Sequence, residues 1–324
     1  MRYVLIANEA KDTQFLYADF AFEKNMSMCL FDYTKKRIGM IKCLDLLNIK
    51  KSNLTYRLFF RRIFKKTIDS YLMNVEEDEI VFVVLARAYE KYGSHMISHL
   101  REHYPSCKII LYLTDLIRNM RFSLDIAKED FDIVCSLDKK EAKENELYYV
   151  LEPFSTRRLS DIPLPKESKV DVSFVGAAKG RYGKIMWLYD SLSKKGLKCV
   201  FYIVGVEKEK QIKGEGLHYD EFLDFEELLK LVANSKSVIE IMQDGMYSAT
   251  TRYAEAMLYG KNLITDCPAL ENENANNIIM FNDETEFDTD KILANNNVDI
   301  NMYIEKFSIQ SFINAINEHI LNEK

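Results

Sequence analysis

Short runs of β-branched and aromatic residues recur along the chain, separated by stretches whose apolar positions repeat at helical spacing. In the first half the runs are YVLIA (3–7), MCLF (28–31), IVFVVLA (80–86), KIILYL (108–113), FDIVCSL (131–137) and LYYVL (147–151), with helical patterns over 93–103 and 139–145. Consecutive rather than alternating apolar positions predict strands covered on both faces, hence a parallel sheet with crossover helices. The second half repeats the scheme with VDVSFVG (170–176), KCVFYIVG (198–205), SVIEI (237–241), NLITD (262–266) and NIIMF (277–281). Helical patterns over 183–195, 225–234 and 249–259 lie between these runs. Between the halves, EPFSTRRLSDIPLPKES holds three of the five prolines and keeps no period, which marks a linker. The prediction is an α/β protein of two Rossmann-like, doubly wound domains facing a cleft, one over 1–155 and one over 156–324. A final helical pattern through Tyr303, Phe307, Phe312, Ile316 and Ile320 is able to return to the first domain.

A chain of 324 residues is long enough for two such domains to bury separate cores. No apolar run approaches the length of a membrane span, and the opening MRYVLIANEA turns polar too soon for a signal peptide, so the expected location is cytoplasmic. The six cysteines are scattered without a C-x-x-C pair, which predicts buried free thiols rather than disulfides or a metal cluster. Charge is uneven. Against a net −6, the window from Lys35 to Lys66 carries eleven Lys or Arg and one acid, Asp45. Within it, NLTYRLFFRRIFKKTIDSYL (53–72) reads as a basic amphipathic helix suited to an anionic membrane surface, which predicts peripheral contact at the inner face of the cell membrane. The same pattern also suits a crossover helix packed on the sheet, and the two readings are compatible. Nucleic acid is not an expected partner, because basic and stacking residues do not interleave elsewhere and the chain is acidic overall.

The candidate chemistry gathers where strands of an open sheet end and helices begin. Nine of the eleven glycines fall after residue 175. After SVIEI comes DGMYSATTRYAEAMLYGK, in which a turn at Gly245 precedes a helix starting near Thr250. The amino end of that helix, with the hydroxyls of Ser248, Thr250 and Thr251, suits a phosphate, and Arg252 suits a diphosphate. Glu255, one turn on, is placed to accept from ribose hydroxyls. A plainer reading of the same residues is a helix capped by Ser248 or Thr250, with Glu255 complementing the dipole and Gly260 ending the helix. A second turn, FVGAAKGRYGK, sets Gly176, Lys179 and Arg181 directly after the first strand of this half. It departs from the G-x-x-x-x-G-K-[ST] phosphate loop at Ala178 and Ile185, and Ala177 and Ala178 break the dinucleotide fingerprint. What remains is a basic turn facing the same sheet edge as Arg252.

On VSFVGAAKGRYGKI and MQDGMYSATTRYAEAMLYGKNLITD, the C-terminal half resembles the donor domain of GT-B glycosyltransferases. The resemblance points in particular to bacterial enzymes of capsule, lipopolysaccharide and exopolysaccharide assembly. It implies a nucleoside diphosphate-sugar as substrate, no further cofactor, and a glycan or lipid-linked glycan as acceptor. It also implies that Glu255 holds the ribose and the turn before it the diphosphate. Retaining members often carry two glutamates with seven residues between them, whereas Tyr247 stands at the earlier position here, which leaves the sugar contacts and the stereochemical outcome open. An epimerase or phosphorylase on the same frame, and a non-catalytic sugar-nucleotide-binding or scaffold protein, are the alternatives. Inverting transfer needs a base for the acceptor hydroxyl, and Asp115 and Glu9, each following a strand in the first half, are the candidates. Tyr219 and Phe222 are candidates for stacking on the base. No metal is expected: Asp288 of Asp288-Thr289-Asp290 reads as a helix cap, and the stripe His95, His99, His103 has Met96 where H-E-x-x-H needs a glutamate. That stripe is expected to be partly exposed.

Overall fold

A computed structural model of the chain describes residues 1–8, 10–31, 79–273 and 275–322. These form two compact units, each built on a six-stranded sheet in which every pairing is parallel. The α/β class with two wound sheets is the one that the continuous apolar runs predict.

The first unit comprises Met1–Leu137, Glu141–Leu151 and Ile313–Lys324. Its strands are β1 (Arg2–Asn8), β2 (Met26–Phe31), β3 (Ile80–Leu85), β4 (Lys108–Leu113), β5 (Ile133–Ser136) and β6 (Tyr148–Tyr149), in the order β2-β1-β3-β4-β5-β6. Val4, Ile6, Phe82, Val84, Ile109 and Leu111 are fully buried beneath Met96 and Leu100 of the helix Ser94–His103. That helix is preceded by another, Ala86–Tyr92, broken from it at Gly93, whose φ of +63° ends the first and starts the second. The hydroxyl of Tyr3 donates to Asn317 Oδ1, and the ring of Tyr148 stacks on His319 at 4.3 Å, so the last helical residues are fastened within this unit.

The second unit comprises Asp138–Lys140 and Glu152–Phe312. Its strands are β7 (Val170–Ala177), β8 (Cys199–Val204), β9 (Leu217–Tyr219), β10 (Ser235–Glu240), β11 (Asn262–Thr265) and β12 (Ile278–Met280), in the order β12-β11-β10-β7-β8-β9. Its core centres on Val172, Phe174, Phe201, Ile239 and Ile264 with Ile185 and Leu188 of the helix Tyr182–Ser193. Strand β9 has no counterpart among the predicted runs, being three residues long behind Gly216. A Cβ on Gly216 would run into the carbonyl of Cys199, so glycine is what lets β9 lie against β8. The single helical pattern at the C-terminus splits into Ile300–Lys306 and Ile309–Asn322, and the freed carbonyl of Phe307 accepts from Phe154 N at 2.9 Å. The five described cysteines are buried and free.

Candidate functional site

The carboxyl ends of β7, β10 and β11 lie side by side, and three charged elements converge on them. After β7 the chain turns through Lys179 (φ +40°) and Gly180 (φ +82°), leaving Lys179 exposed. Arg181 folds back over the strand ends. Its guanidinium donates to the carbonyl of Ile241, just beyond β10, and to that of Ala177 at 3.3 Å. A Cβ on Gly176 would stand 2.9 Å from the ring of Phe174 and 3.4 Å from Arg181 Nη2, so the glycine makes room for this arrangement. Burial lowers the pKa of Arg181; Asp266 and Glu240 oppose the shift, and the nearby positive charge of Arg252 adds to it. The two guanidinium groups are thus electrostatic neighbours.

Arg252 belongs to the helix Thr251–Leu258, with Thr251 half-buried at its first position. Its guanidinium pairs with Glu255, one turn on, and also donates to Val175 O of β7 at 3.3 Å. The Glu255 side chain is 1% exposed. Burial pushes its pKa up to about 7; the charge on Arg252 works against the shift and that on Glu240 adds to it. Glu240, at the end of β10, is 3% exposed and accepts from Thr250 N and Thr250 Oγ1, both at 2.7 Å, and from Thr265 Oγ1 at 2.8 Å. Desolvation raises the pKa of Glu240 despite these donors. Asp266 completes the group, accepting from Met242 N at 2.7 Å and from Lys184 Nζ at 3.0 Å. Around one sheet edge, buried carboxylates and guanidinium groups therefore satisfy one another and the strand-end carbonyls. Such groups can re-pair with a bound polyanion and with hydroxyls.

Several predicted residues sit differently from their expected roles. Ser248 is 3% exposed, and its hydroxyl accepts from Lys139 N at 2.8 Å, while its own N–H and that of Tyr247 go to Asp138 Oδ2. A buried loop must pair its amides, and Asp138 supplies the acceptor. Ser248 thus caps the helix Lys139–Glu144 rather than the one after it. Thr250 is the cap of its own helix, accepting from Arg252 N at 3.2 Å, and its hydroxyl is spent on Glu240. Gly245 takes the turn expected of it, with φ +79°. Tyr219 lies in β9 with its hydroxyl 3.0 Å from that of Tyr182, a bond that fixes the ring edgewise to Tyr182. Phe222 is 86% exposed. In the first unit Asp115 follows β4 as expected, but Oδ1 accepts from Leu116 N (2.8 Å) and Asn119 Nδ2 (2.9 Å), closing a local turn. Glu9 and the basic segment 53–72 lie outside the described residues.

Asp288 accepts from Asp290 N and Lys291 N and caps the helix Thr289–Leu293. The histidine stripe is less exposed than expected, since His99 is 2% exposed. The carboxylate missing at Met96 comes instead from Glu102: ligand atoms of His99, Glu102 and His103 lie within 4.8 Å of one another, a set able to hold a divalent transition metal. His103 Nδ1 lies 3.0 Å from His99 O, which would orient the ring for it. The sequence reading also passed over Glu240, Asp266 and Asp138. Glu240 left one signal, a lone carboxylate inside an apolar strand.

No family model matches the chain, and no curated protein matches it. Solved structures do. HepE of Anabaena in complex with UDP and glucose is similar at 12% identity and a TM-score of 0.59, over 99% of this chain and 100% of that one. The N-terminal domain of Candida albicans trehalose-6-phosphate phosphatase is similar at 11% identity and a TM-score of 0.55, over 99% and 98%. A UDP-forming α,α-trehalose-phosphate synthase from Burkholderia xenovorans, in complex with glucose-6-phosphate, is similar at 9% identity and a TM-score of 0.50, over 99% and 100%. The fold is GT-B. At these identities the likeness is one of architecture, and what the site does rests on its own residues.

Proposed function

We propose that the protein is a GT-B glycosyltransferase that moves a sugar from a nucleoside diphosphate-sugar to a glycan acceptor in bacterial surface-polysaccharide assembly, without a metal ion. The observation that carries this reading is the convergence of Arg181 and Arg252 at the ends of β7 and β10, beside the amino end of the helix Thr251–Leu258. A departing diphosphate needs fixed positive charge, and two guanidinium groups with a helix end supply it. On donor binding Arg252 exchanges Glu255 for the pyrophosphate, which frees a carboxylate one helical turn away to accept from the ribose. Gly176, Gly245 and Thr251 border the same edge, and Lys179, exposed on its turn, adds a third cation. UDP is the first nucleotide to try, because HepE has been solved with UDP and glucose.

The first unit supplies the acceptor side. Asp115 is the preferred base because, among the described residues, its two hydrogen bonds both fall on Oδ1, which leaves Oδ2 for an acceptor hydroxyl. A lipid-linked acceptor suits the basic segment 53–72, which would hold the protein at the inner face of the membrane. Calorimetric titration with UDP in excess EDTA tests the donor half: saturable binding is expected, and the absence of binding by every nucleoside diphosphate overturns the reading. Asp115→Asn is expected to keep that binding while donor turnover falls by about two to four orders of magnitude. Unchanged turnover removes Asp115 from the mechanism.

A further inference from the structure

The opposite edge of the second sheet holds a hollow of about 570 Å³, lined from four segments that meet at the amino ends of β7, β10 and β11. Leu164–Ser168 approach from before β7, Lys236 stands at the start of β10, Tyr259–Lys261 precede β11, and Asn295–Val298 follow the helix Thr289–Leu293. The volume is that of a small-molecule site. Its charge is one-sided: the lining carries Lys166, Lys236 and Lys261 against a single acid, the exposed Glu167.

One lining residue is not fully satisfied by the described residues. Lys261 is 9% exposed, and its ammonium makes one hydrogen bond among the described residues, to Ala233 O at 2.6 Å. An ammonium group has three protons to donate, and no carboxylate offsets its burial, which pulls its pKa down to about 8. Buried polar groups left in this condition are rare and call for a reason. Lys236 is held 3.5 Å from Asp171 with its side chain 33% exposed, so it is available at the mouth.

We propose that this hollow binds a small phosphate-bearing metabolite, with Lys236 and Lys261 on the phosphate, Lys166 at the rim, and the amides of Asn295 and Asn297 toward neutral hydroxyls. Lysine serves phosphate as a compact point charge, and three lysines line this hollow. The site is separate from the one at the carboxyl ends of the strands and does not depend on the function proposed for it. It does share an element with it. The helix Thr251–Leu258 carries Arg252 and Glu255 near its start and delivers Tyr259 and Lys261 just past its end.

The test is a thermal-shift and calorimetric titration of the full chain with inorganic phosphate, against sodium chloride at matched ionic strength. Phosphate is expected to raise the melting temperature saturably. Lys261→Met and Lys236→Gln are each expected to weaken its affinity by about tenfold, the loss of one charge-assisted bond. Arg252→Gln is expected to remove only phosphate held at the carboxyl edge and to keep the response that Lys236 and Lys261 carry. In the wild type the affinity should fall as pH rises above about 8 and Lys261 loses its proton, a dependence that Lys261→Met should abolish. An unchanged phosphate response in both lysine variants overturns the proposal, as does a response lost only in Arg252→Gln. Should Lys261→Met fail to fold, Lys236→Gln on the exposed rim decides alone.

Discussion

The carboxyl edges of the two sheets invite comparison, since they share topology and differ in charge. In the first unit the described carboxylates at that edge accept from backbone amides, Asp115 from Leu116 N at 2.8 Å and Glu141 from Ile117 N at 2.9 Å. In the second unit the equivalent edge buries Glu240 and Glu255 and brings Arg181 and Arg252 over them. Carboxylates at 1% and 3% exposure cost several kcal/mol to desolvate unless they are paired, so nothing in the folding of a parallel sheet calls for them. The difference is in buried charge, and it is what sets the second edge apart as the proposed donor site while the first contributes the proposed base.

Arg252→Gln should break this contrast most severely. It removes the cation facing Glu255 and the proposed pyrophosphate, so nucleoside diphosphate affinity is expected to fall by roughly a hundredfold, about 3 kcal/mol. Calorimetry of wild type and variant measures it, and a change below about threefold would return Arg252 to a purely structural pairing.

Glu255→Gln should sharpen the contrast through pH. The folded carboxyl binds its proton more tightly than an ordinary one, with its pKa pushed up to about 7. The stability this provides is complete below the unfolded value of about 4.3 and is lost as pH rises through about 7, amounting at most to about 4 kcal/mol. Urea midpoints measured from pH 4.5 to 8 should therefore slope downward in the wild type and flatten over that window in the variant. A parallel slope in both would assign the dependence to another group.

The smallest effect is expected from Gly176→Ala. The added methyl meets the ring of Phe174 and the guanidinium of Arg181, at a cost of about 1–2 kcal/mol. Denaturant melts give the stability loss, and because Arg181 has to shift, nucleotide binding should weaken as well. Retained affinity alongside lost stability would separate Gly176 from the site.

The fold was legible in the sequence because parallel strands buried on both faces announce themselves as continuous apolar runs, and the extents of β3, β4 and β7 follow YVLIA-like blocks closely. Strand β9 was not, since an edge strand of three residues depends on backbone clearance at Gly216 rather than on a pattern. In the site, Arg181 and Arg252 were found because cationic residues stood just after strands. The partners of the hydroxyls were not all legible, for a physical reason: Thr250 caps its own helix, but Ser248 answers to Asp138 and Lys139, about 110 positions earlier in the chain, and no local spacing encodes a partner so distant. Glu240 escaped notice because its role is set by three donors contributed from two other segments.

Glu240 also bears on how the molecule is able to change. By gripping both Thr250 at the cap of the helix and Thr265 on the adjacent strand β11, it moors the start of the helix to the sheet rather than to the intervening span Ile241–Ala249. Insertions or swaps in that span can then reshape the surroundings of the proposed donor site while Arg252 stays in register. Divergence in substrate choice within such proteins is expected to concentrate there.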